Sequence, residues 1–261
     1  MNPVITAVLV LSVIGIVCAL LLVIAAKYMS VPVDEKFPAI RACLPGANCG
    51  GCGYAGWDGY ANARASGEED KCNKCIAGGN SVALALSEAC GMAFEETEKK
   101  VAFVHCKGTC DATNKKAEFY GDRSCSAAKL LFGGDGACQF GCLGYGDCAA
   151  VCPEQAINVI NGVAHVNPER CMGCGLCEKT CPNHVISIVP AASTIHIACS
   201  NKDKGAVARK KCTAGCLGCG LCMRKCEQGA ISIVNNVAVI DYEKCVNCGT
   251  CASVCPSKCI I

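Results

Sequence analysis

Aromatic side chains make up only 5% of the 261 residues and charged ones 18%. A core built on large rings is therefore thin, and something covalent or metallic has to help hold the fold. An excess of one charge sign is missing too: 24 Lys and Arg against 22 Asp and Glu leave a formal net charge of +2. That balance gives no electrostatic case for a nucleic-acid partner. No Walker loop, no G-x-G-x-x-G strand–helix unit and no Ser/His/Asp set is evident, so phosphate cradling, dinucleotide binding and serine-type hydrolysis have no residues to carry them. The four histidines, His105, His165, His184 and His196, are scattered and read as surface or core residues.

What the chain does have is cysteine, 29 in all, with 28 glycines. That density leaves an extracellular disulfide scaffold or an intracellular protein packed with metal sites. The N-terminus bears on the choice. Residues 4–26 carry no charge, which predicts a helix of roughly 34 Å, long enough for a bilayer core of about 30 Å. No basic residue precedes this segment, while Lys27, Lys36 and Arg41 follow it. The expectation is an uncleaved single-pass anchor in the cytoplasmic (inner) membrane, lipid-facing through 4–26, with the remaining chain on the reducing cytoplasmic side. A reducing compartment favours metal ligation over disulfides.

The C-terminal half repeats. Cys138, Cys142, Cys148, Cys152, Cys171, Cys174, Cys177 and Cys181 recur 74 positions later as Cys212, Cys216, Cys222, Cys226, Cys245, Cys248, Cys251 and Cys255. Cys125 maps onto Cys199 at the same offset, so the pattern indicates a duplicated module. Within each copy the sequence predicts a small hairpin. One pairs Ile157–Ile160 with Val163–Val166 about Asn161-Gly162, and the other pairs Ile231–Val234 with Val237–Ile240 about Asn235-Asn236.

Each module ends in C-x2-C-x2-C-x3-C-P: Cys171, Cys174, Cys177, Cys181 and Pro182, then Cys245, Cys248, Cys251, Cys255 and Pro256. So tight a run does not suit four thiolates on one tetrahedral ion; three wrap one cubane and the fourth ligates another. Glycines such as Gly173, Gly175 and Gly249 let backbone N–H groups approach sulfur.

These runs resemble the bacterial ferredoxin family that carries two [4Fe–4S] clusters. The resemblance implies crossed ligation. Cys216, Cys219, Cys222 and Cys255 would hold one cluster of the second module, and Cys226, Cys245, Cys248 and Cys251 the other. In the first module Cys152, Cys171, Cys174 and Cys177 make one complete set. Cys142, Cys148 and Cys181 match the other, but Tyr145 stands where Cys219 stands in the second copy. Cys138 is the nearest replacement, with a three-ligand or absent cluster as the alternative.

Residues 40–79 carry LPGANCGGCGYAGWDGYANA and end in Lys74-Cys75-Ile76-Ala77-Gly78-Gly79. This stretch resembles the short Fes-type iron–sulfur domain of the B-subunit family of Rnf complexes, which are membrane-bound, ion-translocating ferredoxin:NAD oxidoreductases. Cys49, Cys52 and Cys75 match the family pattern, whereas Trp57 occupies the third ligand position. Cys43 and Cys72 are the candidate replacements, with Cys43 slightly favoured; a degraded site is the alternative. The alanine content predicts a helix from about 56 to 65, and Ser81 is a plausible cap for a second that ends at Cys90. Cys106, Cys110 and Cys125 form a partial set that Cys199 or Cys212 would complete as an extra cluster; inert buried thiols are the alternative.

The order of parts, more than any one motif, carries the likeness to the Rnf B-subunit family. The expected fold class is α+β, with a single N-terminal transmembrane helix, a small Fes-type domain and two tandem ferredoxin-like modules. The expected division is 1–29 anchor, 33–97 Fes-type domain, 98–135 connecting segment, 136–190 first module and 199–261 second module. The resemblance implies an electron-transfer subunit of a translocase that carries five [4Fe–4S] clusters, with ligands for a sixth. Soluble ferredoxin would be the electron donor and the other Rnf subunits the partners. Competing readings are the electron-input subunit of another membrane oxidoreductase, or a zinc-stabilised scaffold.

Overall fold

The computed structural model describes residues 3–28, 36–45, 50–94, 96 and 98–261. Helix α1 runs Pro3–Tyr28, and its described side chains, Leu9 and residues 12–25, are exposed. Among the described residues no helix is long and apolar enough to cross a membrane. The expected fold class is corrected on this point: helix and strand are mixed, but the transmembrane helix over 4–26 is withdrawn and the single-pass placement loses its support.

Three small helices follow, α2 (Phe37–Ala42), α3 (Gly56–Ala65) and α4 (Gly79–Cys90). Ile40, Tyr60, Ala61 and Leu86 pack where they meet and are essentially inaccessible. Alanines on α3 allow α2 to approach closely, and Tyr60 in their midst donates its hydroxyl to the Lys71 carbonyl at 2.9 Å. Ser81 does not cap α4. The helix begins two residues earlier, and the Ser81 hydroxyl donates back to the Gly78 carbonyl at 3.0 Å.

Strand β1 (Lys100–Val104) precedes the short helices α5 (Cys125–Leu130) and α6 (Asp147–Ala150). Strands β2 (Ile157–Ile160) and β3 (Val163–Val166), helix α7 (Leu176–Thr180) and strand β4 (Ile186–Pro190) complete the first module. The β2–β3 turn has Asn161 at φ 48° and Gly162 at φ 80°, the left-handed backbone that selects these two residues. Strand β1 pairs antiparallel with β4 from Lys100↔Pro190 to Val104↔Ile186. It adds Ala102 and Val104 to a core with Val163, Val185 and Ile186, so a strand from the connecting segment closes the first module.

The second module contains α8 (Gly205–Lys211), α9 (Leu221–Lys225), β5 (Ile231–Val234), β6 (Val237–Ile240) and α10 (Thr250–Ser253). Its core gathers Ile197, Ile231, Cys259 and Ile260. His105 ties the modules together: Nδ1 donates to the Ile197 carbonyl at 2.7 Å and Nε2 accepts from the Ser187 hydroxyl at 2.6 Å. Burial holds this imidazole below its ordinary pKa, and the neutral tautomer with the proton on Nδ1 satisfies both bonds. Phe103 stacks on His196 at 4.3 Å beside it.

Candidate iron–sulfur sites

Cysteines ring small apolar cavities in both modules. In the first, Cys152, Cys171, Cys174 and Cys177 form one group. Burial pushes the Cys177 thiol up to about 12, and Cys171, Cys174 and Cys152 add to the rise. Backbone N–H groups point at sulfur here, Ala102 to Cys171 and Ala156 to Cys152, both at 3.3 Å. Gly173 makes the approach possible. It sits at φ +71°, and a Cβ there would lie 2.4 Å from the Lys100 carbonyl oxygen.

A second cavity of about 370 Å³ is lined by Cys142, Cys148 and Cys181, and its fourth thiol is Cys125. Burial pushes Cys148 up to about 12, with Cys142, Cys125 and Cys181 adding. Cys125 arrives as the first residue of α5. Asp147 accepts the N–H of Cys125 at 2.9 Å, and the N–H of Ser126 and the Ser124 hydroxyl at 3.0 Å each. Tyr145, where the other module has Cys219, turns its hydroxyl to Asp135 at 2.8 Å. Cys138 lies elsewhere, lining a third cavity of about 460 Å³ with Cys106, Cys199 and Cys212. Cys110 is exposed and belongs to neither group. Sequence reasoning placed Cys125 with Cys106 and Cys110. The available signal was Asp147, a carboxylate beside a ligand cysteine with nothing local to bind.

The second module repeats the arrangement. Cys226, Cys245, Cys248 and Cys251 line a cavity of about 340 Å³. Cys222 has Cys216, Cys219 and Cys255 as its charge neighbours. Cys259, absent from the sequence-based ligand sets, is buried against this second group with its sulfur 3.6 Å from that of Cys255. Its thiol hydrogen-bonds Cys216, which lowers Cys216 while Cys259 is raised. Val185 holds the repeat-equivalent position in the first module, so size and burial, not a motif, mark the place.

In the N-terminal iron–sulfur segment Cys49 lies outside the described residues. Cys43 directs its thiol at the carbonyls of Ala39, at 3.3 Å, and Ala85, at 3.8 Å. Cys72 receives the Arg64 guanidinium at 3.2 Å and lies beside Cys90. Burial raises the Tyr60 phenol, and the adjacent Cys72 and Cys75 add to the rise. Lys74 has Cys52 among its neighbours. Trp57 packs into the α2–α4 core. Gly51 rests on the first module: a Cβ there would be 3.1 Å from the Cys174 carbonyl oxygen.

The thiols fit a polynuclear group better than a single ion. Four thiolates on one zinc sit about 3.8 Å apart, given Zn–S bonds of ~2.3 Å. Among the described residues no three His, Cys, Asp or Glu side chains close on one ion. Four cysteines instead line each of three cavities, and a four-iron cubane takes four thiolates. Burial raises the Cys142, Cys148, Cys177, Cys222 and Cys251 thiols, and a cationic group beside them would draw their protons off.

Family models agree in character. A "4Fe-4S binding domain" matches residues 164–187, a "4Fe-4S dicluster domain" 215–259 and a "Putative Fe-S cluster" 44–77. The B subunit of the Na(+)-translocating ferredoxin:NAD(+) oxidoreductase complex of Acetobacterium woodii is 43% identical, over 100% of this chain and 78% of its own length. The B subunit of the proton-translocating ferredoxin:NAD(+) oxidoreductase complex of Clostridium ljungdahlii is 40% identical, over 100% of this chain and 93% of its own. The B subunit of the ion-translocating oxidoreductase complex of Methanosarcina acetivorans is 34% identical, over 98% and 97%. Identity of this order along the whole chain, with three iron–sulfur family models matched within it, leads to one conclusion: the chain belongs to the B-subunit family of the ion-translocating Rnf oxidoreductase complexes.

Proposed function

We propose that this chain is the electron-transfer subunit of a membrane-associated, ion-translocating ferredoxin:NAD(+) oxidoreductase. It accepts low-potential electrons from soluble ferredoxin and relays them to partner subunits. The observation that supports the reading is the grouping of cysteines from distant stretches in both modules, four of them lining one cavity in the first and four another in the second. Bound [4Fe–4S] clusters supply one-electron transfer. The chain supplies thiolates, backbone N–H groups that tune them, and apolar walls that exclude water.

The ligand sets follow the groupings in space. Cys152, Cys171, Cys174 and Cys177 hold one cluster, and Cys125, Cys142, Cys148 and Cys181 a second. Cys226, Cys245, Cys248 and Cys251 hold a third; Cys216, Cys219, Cys222 and Cys255 hold a fourth. For the N-terminal site, Cys49, Cys52 and Cys75 take Cys72 as their fourth partner. The Arg64 guanidinium beside Cys72 favours a thiolate and partly offsets the burial that raises this thiol, whereas the Cys43 thiol is committed to two carbonyls. The contact of Gly51 with Cys174 supports an electron path from this site into the first module.

Anaerobic iron and sulfide analysis of the full chain, with EPR after dithionite reduction, tests the proposal. At least about 20 irons per chain with matching sulfide is expected from five cubanes. Stoichiometric zinc without acid-labile sulfide would refute it.

A further inference from the structure

The two modules differ in one turn beside a ligand. Cys255, Ser257 and Cys259 stand at the positions that Cys181, Asn183 and Val185 hold 74 residues earlier. Lys258 and His184, also equivalent, share a left-handed φ of 49°. Their N–H groups return to the carbonyls of Cys255 and Cys181 at 3.2 and 3.1 Å. The backbone turn is therefore the same in both copies, and only its side chains differ.

In the second module those side chains are donors. The Ser257 hydroxyl lies 3.8 Å from the Cys255 sulfur, and the Cys259 sulfur lies 3.6 Å from it. Cys259 also hydrogen-bonds Cys216, a second member of the same ligand set. It is 1% exposed, so water does not compete for its proton. Neighbouring backbone holds it there: the Ala198 N–H donates to the Cys259 carbonyl at 2.7 Å, and His196 and Ile261 exchange N–H bonds at 2.7 and 3.0 Å. A thiolate bound to iron accepts hydrogen bonds but has no proton to give, so beside a cluster Ser257 and Cys259 act as donors to it. The first module lacks this support. Val185 offers no donor, and Asn183 commits its Nδ2 to the Gly141 carbonyl at 2.7 Å, while its Oδ1 is an acceptor without a partner.

Resting on the ligand sets proposed above, we infer that Ser257 and Cys259 set the reduction potential of the cluster at Cys216, Cys219, Cys222 and Cys255 above that of its counterpart at Cys125, Cys142, Cys148 and Cys181. The reason is charge. Reduction adds an electron to a group already ringed by four thiolates, and part of the added charge falls on sulfur. A donor aimed at a ligand sulfur stabilises the reduced form more than the oxidised one. One electron leaves the first-module cluster, which is oxidised, and reaches the second-module cluster, which is reduced. The S–H and O–H bonds stay intact and no proton moves. The duplication thereby acquires a direction, because electrons run downhill toward the copy that has the donors.

Redox titration of the full chain, prepared anaerobically and followed by EPR, tests the inference. Cys259→Val copies the first module's residue. It should keep all the iron and make one cluster harder to reduce, by about threefold or more in the reduction equilibrium. Cys259→Ser keeps a donor and should hold that potential at or above the wild-type value, whereas a packing role alone would suffer from both changes. Ser257→Ala, at a half-buried position, should shift the same cluster in the same direction and leaves the core untouched. Val185→Cys should raise the potential of the first-module cluster whose signal Cys125→Ser removes. Unchanged potentials with all the iron kept would overturn the inference and leave the ligand sets standing. Loss of about four irons from either Cys259 variant would make Cys259 a ligand and overturn it as well. A chain without iron–sulfur signals would overturn both the inference and the reading beneath it.

Discussion

The carboxylate of Asp147 holds the backbone N–H of Cys125 at 2.9 Å, across 22 residues of sequence. Burial works against that charge, yet the N–H groups of Cys125 and Ser126 and the hydroxyls of Ser124 and Ser126 outweigh it and keep the carboxyl below its ordinary pKa. The bond stands at the start of α5, where unsatisfied helix donors favour an anion. It also brings the Cys125 sulfur to Cys142, Cys148 and Cys181. Asp147→Ala should therefore cost about 2 kcal/mol of local stability and lower cluster occupancy at this site alone. Iron analysis after mild chelator challenge reads the loss; retention equal to wild type would detach the clamp from the site.

Substituting the two cysteines that compete for this site separates the sequence-based assignment from the spatial one. Cys125→Ser should remove the EPR signal of a first-module cluster. Cys138→Ser should leave that signal intact. The reverse result would restore Cys138 to the first module.

At the N-terminal site the same logic sets Cys72 against Cys43. Cys72→Ser should reduce iron by about four per chain, since it deletes a ligand beside Arg64. Cys43→Ser keeps a donor for the Ala39 carbonyl and should change the iron count by less than one. Equal losses from both would mean that Cys43 also reaches the cluster.

Gly173→Ala places a Cβ against the Lys100 carbonyl in a left-handed backbone. The cost should be at least about 2 kcal/mol, borne by the β1 edge and the Cys171–Cys177 loop. Thermal bleaching of the visible cluster absorbance should begin several degrees earlier than in wild type.

Glu69 is an almost fully enclosed carboxylate paired with Lys74. The Lys74 ammonium, the Lys71 N–H and the Tyr54 hydroxyl hold its pKa to about 2. A depressed carboxyl pKa stabilises the fold above its unfolded value of about 4.3 and is lost only as pH falls toward the folded value. Glu69→Gln should thus lower the melting temperature by the same amount at pH 8 and at pH 6. A gap that closes between those two pH values would contradict the assignment.

Local signals were legible wherever neighbours in sequence are neighbours in space. Asn161 and Gly162 predict their hairpin because few other residues accept positive φ at low cost. The α3 helix over 56–65 follows from its alanines. Cys171, Cys174 and Cys177 are placed together by a three-residue spacing and the left-handed Gly173 and Gly175 between them. Ser81 misled, because a hydroxyl near a helix start serves as well for a bond back to a carbonyl as for a cap. The anchor expected over 4–26 is not shown, because among the described residues no helix is long and apolar enough to cross a membrane.

Sequence alone determined the duplication, carried by the spacing of its cysteines, and the kinship with the Rnf B-subunit family, carried by the order of parts. Only the tertiary structure brings Cys125 to Cys142, Cys148 and Cys181 and gathers Cys106, Cys138, Cys199 and Cys212 around one cavity. The reason is one of distance. A ligand three residues away is positioned by backbone geometry, but one delivered from a distant segment arrives only through packing and hydrogen bonds such as Asp147 to Cys125, which no spacing records.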